Sequence, residues 1–169
     1  HGGDAWARNF NELVTLAPDT VYRVHHFIDR DVAYYSHGSW VGTREGGAYE
    51  LVVNAVLELD GQGLILRADI YDGDDGDDAL DRLERVVAAS ARQPATQGWP
   101  HTGSKRRSVA PNAAHAALAR MAAAYRTGAE TGSWAEMRAV CAAEYAFADR
   151  RRMNLLEGDL ERLIAAFQE

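Results

Sequence analysis

Four strand-like runs dominate the first half of the chain, at residues 20–28, 31–41, 48–59 and 64–71, each rich in Val, Leu, Ile or aromatic residues. Asp29-Arg30, Gly46-Gly47 and Asp60-Gly61 supply the intervening turns, and the last is a strong hairpin signal. Three hairpins in succession predict an antiparallel meander. The third run is apolar at nearly every position, which requires cover on both faces. A short helix is expected before the meander over residues 3–13, with Trp6, Phe10 and Leu13 on one side and Pro18 as its stop. Another is expected after it over residues 79–91, where Leu80, Leu83, Val86 and Val87 form one face.

Residues 92–111 break the periodicity. Pro94, Gly98, Pro100, Gly103, Lys105-Arg106-Arg107 and Pro111 read as a linker, with its basic residues solvated. Beyond it the pattern turns helical. Asn112 caps an Ala-rich helix over residues 113–127, with Leu118, Met121 and Tyr125 along one side. A second helix is expected over residues 134–143 and a short strand over residues 144–149, where Tyr145, Phe147 and Asp149 share a face. A last helix is expected over residues 158–167, with Leu160, Leu163, Ile164 and Phe167 aligned. Gly158-Asp159 opens it as Gly3-Asp4 opens the first, a weak internal echo.

At 169 residues and 47% hydrophobic content, the chain suits one domain with a real core. A net charge of −7 argues against a nucleic-acid partner, which would require clustered Lys and Arg. Apolar runs fall short of the ~20 residues that span a bilayer, and no signal-peptide pattern opens the sequence, so no membrane partner and a cytoplasmic location are expected. The one cysteine, Cys141, forms no internal disulfide and reads as a buried structural thiol. The Asp72-Gly-Asp-Asp-Gly-Asp-Asp run begins like a calcium loop, but Gly76 and Leu83 stand where ligands belong. Its carboxylates instead suit the positive end of the following helix, with Asp77 as cap. His25 and His26 alternate faces on a regular strand and cannot chelate one ion together. Arg23 and His25 then share one face, and Tyr22 and His26 the other. No metal site and no cofactor are expected.

Reading residues 112–169 first and residues 1–91 second gives helix, helix, short strand, helix, four-stranded meander, terminal helix. That order is similar to the nuclear transport factor 2-like superfamily, which includes ketosteroid isomerases, SnoaL-like polyketide cyclases and limonene epoxide hydrolases. Met121-Ala-Ala-Ala-Tyr125 with Gly132-Ser133-Trp134 resembles the family's first helix and its turn into the second. The stretch from Ala143 to Asp149 resembles the opening strand, and Ala68-Asp69-Ile70-Tyr71-Asp72 the family's closing strand. More narrowly, Asp149-Arg150-Arg151-Arg152, His1-Gly2-Gly3-Asp4-Ala5 and Asp77-Asp78-Ala79-Leu80 resemble tandem domains of actinobacterial signalling proteins. The resemblance implies an α+β fold in rotated order: a cone-shaped, curved antiparallel sheet with helices across its mouth. Residues 1–91 would be its sheet half, 92–111 a linker, and 112–169 a helical half completing the cone within the chain or by exchange in a homodimer. In a tandem, the chain would end one helix into the next domain.

The resemblance also implies a pocket for a small apolar or polycyclic ligand, lined by Arg67, Tyr71, Tyr145, Phe147, Val53 and Ala55. Tyr125 precedes Asp149 by 24 residues, as the oxyanion-donating Tyr precedes the base in ketosteroid isomerases. The third member of that site is missing, because Ala55 stands at its position and cannot donate. Asp69 matches the acid or base of the epoxide hydrolases and cyclases, and shares a strand face with Arg67 and Tyr71. Each residue has a plainer role open to it. Tyr125 suits a helix core position with its hydroxyl at the edge. Asp149 leads into three arginines, and a local ion pair competes with service as a general base. The expectation is therefore a binding or regulatory module. The alternatives are a cyclase, isomerase or epoxide-opening enzyme using Asp149, Tyr125 and Asp69, or a dimerisation module.

Overall fold

The computed structural model of the chain describes residues 19–44, 46–92, 113–152 and 156–168. The helix expected at residues 3–13, its Pro18 stop, the Gly3-Asp4 pair, the Asn112 cap and the linker from residue 93 onward lie outside the described residues.

The fold is α+β: among the described residues, one open, mostly antiparallel sheet of six strands, in the order β1-β2-β3-β4-β5-β6, with four helices. The elements run β1 (Val21–Arg30), β2 (Ala33–Arg44), β3 (Gly47–Leu59), β4 (Ile65–Asp72), α1 (Gly76–Arg92), α2 (Ala113–Thr131), α3 (Ala135–Val140), β5 (Cys141–Asp149), β6 (Leu156–Asp159) and α4 (Leu160–Gln168). β1 to β4 form the expected antiparallel meander. β5 then lies parallel to β4, and β6 turns back antiparallel on β5. A parallel neighbour needs a crossover connection, and here the intervening chain includes α1, α2 and α3.

Helices cover both faces of the sheet. On one, Tyr34, Ala55, Leu57, Ala68, Tyr145 and Phe147 pack against Ala124 of α2, Trp134 and Met137 around α3, and Leu163 and Ile164 of α4. On the other, Ala33, Tyr35, Val56 and Tyr71 pack against Ala79, Leu83 and Val86 of α1. This double cover buries the second half of β3, from Val53 to Leu57, whereas Val52 before it is left exposed. Cys141 is buried in the first layer, and burial pushes its thiol up to about 12, in keeping with a structural role.

Several boundaries differ from the expectation for local physical reasons. The β1–β2 turn is Asp31-Val32, because Arg30 still pairs with Ala33 and the Val32 carbonyl accepts from Leu59 N–H at 2.8 Å. The register of β1 shifts between Val24 and His26, so His25 is an extra residue in a bulge. The bulge overturns the face assignment made from strict alternation. His26 pairs with His37 and Arg23 with Ser39, while the His25 ring lies 5.8 Å from that of His37. Arg23, His25 and His26 therefore share a face, and Tyr22, against Trp40, takes the other.

α1 begins at Gly76, so Asp77 sits inside the first turn instead of capping it, and Ala79 N–H donates to the Asp75 carbonyl. α2 runs one turn past residue 127. It ends where Gly132 adopts φ +72° and donates to the Gly128 carbonyl at 2.8 Å, a left-handed C-terminal cap. α3 stops at Val140, since Cys141 already pairs with Ile65, making β5 three residues longer than its alternation suggested. Asp159 caps α4 by accepting from Arg162 N–H at 2.9 Å.

Candidate binding groove

Residues 67, 69 and 71 of β4 face α1. Asp69 lies between them with its side chain only 1% exposed, a costly place for a lone carboxylate. Three guanidinium groups surround it. Arg67 donates from Nε to Oδ2 at 2.9 Å and from Nη2 to Oδ1 at 3.0 Å. Arg82 of α1 donates from Nε to Oδ2 at 2.8 Å, and Arg150, just beyond β5, from Nε to Oδ1 at 3.0 Å. Arg82 also reaches Glu58 Oε2 at 3.1 Å. Burial pushes the Asp69 carboxyl up, but hydrogen bonds from Arg67 and Arg82 outweigh it and hold the group below the usual carboxylate range.

Above this cluster a groove of about 960 Å³ opens between β4 and α1. Its floor and walls carry Arg67, Tyr71, Arg82, Arg85 and Arg150. Asp78, Asp81 and Glu84 come from the helix side. Tyr71 is 5% exposed, and its phenol is pushed up by burial and then by the neighbouring Asp69 charge.

The three consecutive arginines share no acid. Arg150 joins Asp69. Arg151 folds back on Asp149, with Nε 2.9 Å from Oδ1 and Nη2 2.6 Å from Oδ2, a buried two-pronged pair. Arg152 gives its backbone N–H to Asp72 Oδ2 at 2.8 Å, and its Nη2 to Asp74 and Asp75 at 3.2 and 3.0 Å. The acidic run that resembled a calcium loop therefore holds an arginine. Asp72, Asp74 and Asp75 do bring carboxylate oxygens within 4.8 Å of one another, but Arg152 already occupies that charge.

The structure divides the expected site residues between the two faces of the sheet. Arg67, Asp69 and Tyr71 lie together on the α1 side. Ala55, Tyr145 and Phe147 belong to the core beneath α2–α4, with Tyr125 packed against it and its ring 5.8 Å from that of Trp134. Val53, buried, shares that face with Ala55 by alternation. Asp69 pairs with Ala148 and Ile70 with Asp149, so the two acids sit on neighbouring strands with side chains directed to opposite faces. Tyr125 and Asp69 are thus separated by the sheet.

Arg82, Arg85 and Arg150 are groove residues that the sequence reading did not single out. Arg82 lies one residue from the apolar Leu83, at the boundary of the α1 stripe, which is where a side chain able to reach the sheet is expected. Arg150 carried a signal only as one of three like charges beside Asp149. No family model matches the chain, and no curated protein or solved structure matches it.

Proposed function

We propose that the chain is a small-molecule-binding, regulatory module with the groove between β4 and α1 as its site. It is built on a nuclear transport factor 2-like cone in rotated order. The order α2, α3, β5, β6, α4 followed by β1–β4 and α1 supports the rotated reading, with β6 as one strand more than expected. So does the parallel β4–β5 join, which brings strands from the chain's two halves into one sheet.

One observation carries the choice of binding over acid–base catalysis. Both candidate bases are engaged by guanidinium groups, Asp69 by three and Asp149 by the fork of Arg151, and they face opposite ways. A general base must be free to take a proton in reach of a substrate and close to its donor partner. Neither acid meets both conditions with Tyr125.

The test pairs a thermal-shift screen of apolar and polycyclic small molecules with turnover assays of cyclase, isomerase and epoxide-opening substrates. The expected result is ligand-dependent stabilisation without turnover. Wild-type turnover abolished in folded Asp149→Asn and Asp69→Asn variants would establish the enzyme instead. A dimer by light scattering at micromolar concentration, with no ligand found, would turn the reading to a dimerisation module.

A further inference from the structure

We infer that the groove between β4 and α1 takes the carboxylate group of a small organic acid, held by Arg67, Arg82 and Arg150 with the Tyr71 hydroxyl beside them. This rests on the binding-module reading and names the chemistry of its ligand.

The donors come first. A guanidinium carries five N–H groups. Arg67 and Arg82 each commit two to carboxylates and Arg150 commits one, all within hydrogen-bond distance. Their remaining N–H groups make no hydrogen bond to the described residues, Glu157 approaching Arg150 Nη2 only to 3.7 Å, and all three side chains line the groove. The Tyr71 hydroxyl likewise has no hydrogen-bond partner among the described residues and lies on the same wall. Asp69 fixes the three forks by their Nε atoms, so each is oriented before a ligand arrives, and a pre-oriented fork loses little freedom on binding.

Charge then selects the ligand's valence. Arg67, Arg82 and Arg150 are directly hydrogen-bonded to two carboxylates, those of Asp69 and Glu58, which leaves one positive charge in excess. Glu157 approaches Arg150 only to 3.7 Å and is 71% exposed, so solvent screens most of its effect. Arg85 adds a further positive charge, but Asp78, Asp81 and Glu84 stand along the helix side of the same groove. Over the whole groove these four arginines meet five carboxylates, so the positive excess is local to Arg67, Arg82 and Arg150: it suits a single carboxylate group, and a phosphate dianion or polyanion meets the acidic side. The volume of about 960 Å³ leaves room for an organic body behind the carboxylate.

The experiment is a nuclear magnetic resonance titration of the isotope-labelled full chain with benzoate, with benzamide as its neutral counterpart, and with inorganic phosphate. Benzoate is expected to shift signals of β4, α1 and Arg150, and to bind about tenfold or more tightly than benzamide. Arg150→Gln is expected to weaken benzoate by about the same factor. Arg138→Gln, which removes an equal charge from the pair with Glu161 elsewhere, is expected to leave it unchanged. If Arg150→Gln does not fold, Tyr71→Phe carries the comparison, since it removes a donor of the inferred site whose hydroxyl makes no hydrogen bond among the described residues. Equal binding of benzoate and benzamide, tighter binding of phosphate, or wild-type affinity in the groove variant each overturns the inference while leaving a binding module standing. Failure of all three probes, together with an empty small-molecule screen, removes both.

Discussion

Arg150 reaches back 81 positions to Asp69, its Nε donating to Oδ1 over 3.0 Å, while its backbone N–H donates to the carbonyl of Ile70 at 2.7 Å. One residue is thus fastened to two successive residues of β4, at the end of the parallel join. With Arg82 arriving from α1 on the same carboxylate, Asp69 ties together a strand, the helix that covers it and the loop after β5.

Asp69→Asn keeps the shape of the side chain and removes the charge on which three guanidinium groups converge. Breaking a buried ionic cluster from one side is expected to cost about 3–5 kcal/mol. Urea denaturation of the folded variant measures it. A loss below about 1 kcal/mol would mean that the arginines find water as readily as they find Asp69.

The same carboxylate sets an acid limit. Its folded-state pKa lies below the ordinary value of 3.8, so the unfolded chain takes up the proton first as pH falls. The stability it contributes is complete above that value and is lost as pH drops below it toward the folded value. Wild-type urea midpoints are expected to fall steeply below about pH 4, and those of Asp69→Asn to fall less over the same interval. Parallel acid limbs for the two proteins would assign the loss to other carboxylates.

Gly128, in the last turn of α2, is the contact point for Trp134: a Cβ there would stand 2.5 Å from the indole ring. Gly128→Ala favours the helix by up to about 1 kcal/mol through backbone entropy. It also forces the ring out of its place, at about 1–3 kcal/mol. The clash is expected to win, giving a lower melting temperature and a changed tryptophan near-ultraviolet signal. A stabilised variant with an unchanged signal would show that the ring yields at no cost.

Tyr34 is fully buried, and its hydroxyl finds no hydrogen-bond partner among the described residues. A buried unsatisfied hydroxyl costs about 1–3 kcal/mol, so Tyr34→Phe is expected to match or exceed wild-type stability in urea. A loss of more than about 1 kcal/mol would reveal a partner for that oxygen.

The meander, α1 and the helices of the second half are legible in the sequence because each depends on a local pattern, whereas the four-residue β6 is not. Asp60-Gly61 closes its hairpin through its own hydrogen bonds, with Asp60 Oδ1 accepting from Gln62 and Leu64 N–H. Gly132 stops α2 with its own backbone angle. What the pattern does not carry is distance along the chain. A single inserted residue at His25 reverses the face of every preceding position, and nothing in the composition of β1 marks it. The Asp69 cluster joins residues from β4, α1 and the loop after β5, so no window of sequence contains it. The Asp149–Arg151 pair was legible, being two residues apart.

The parallel join between β4 and β5 has a kinetic side. β1 to β4 are connected by short turns and meet their partners early, whereas β5 must be brought to β4 from far along the chain, at a loop-closure cost that slows its arrival. Until it docks, β4 presents a row of unpaired backbone groups, and another copy's strand is an available substitute. The arginines that follow β5 are placed to shorten that interval, because opposite charges on Asp69 and on Asp72, Asp74 and Asp75 attract the arriving segment before its backbone bonds form. Raising the salt concentration should accordingly lengthen the exposure of this edge during refolding and favour its capture by neighbouring chains.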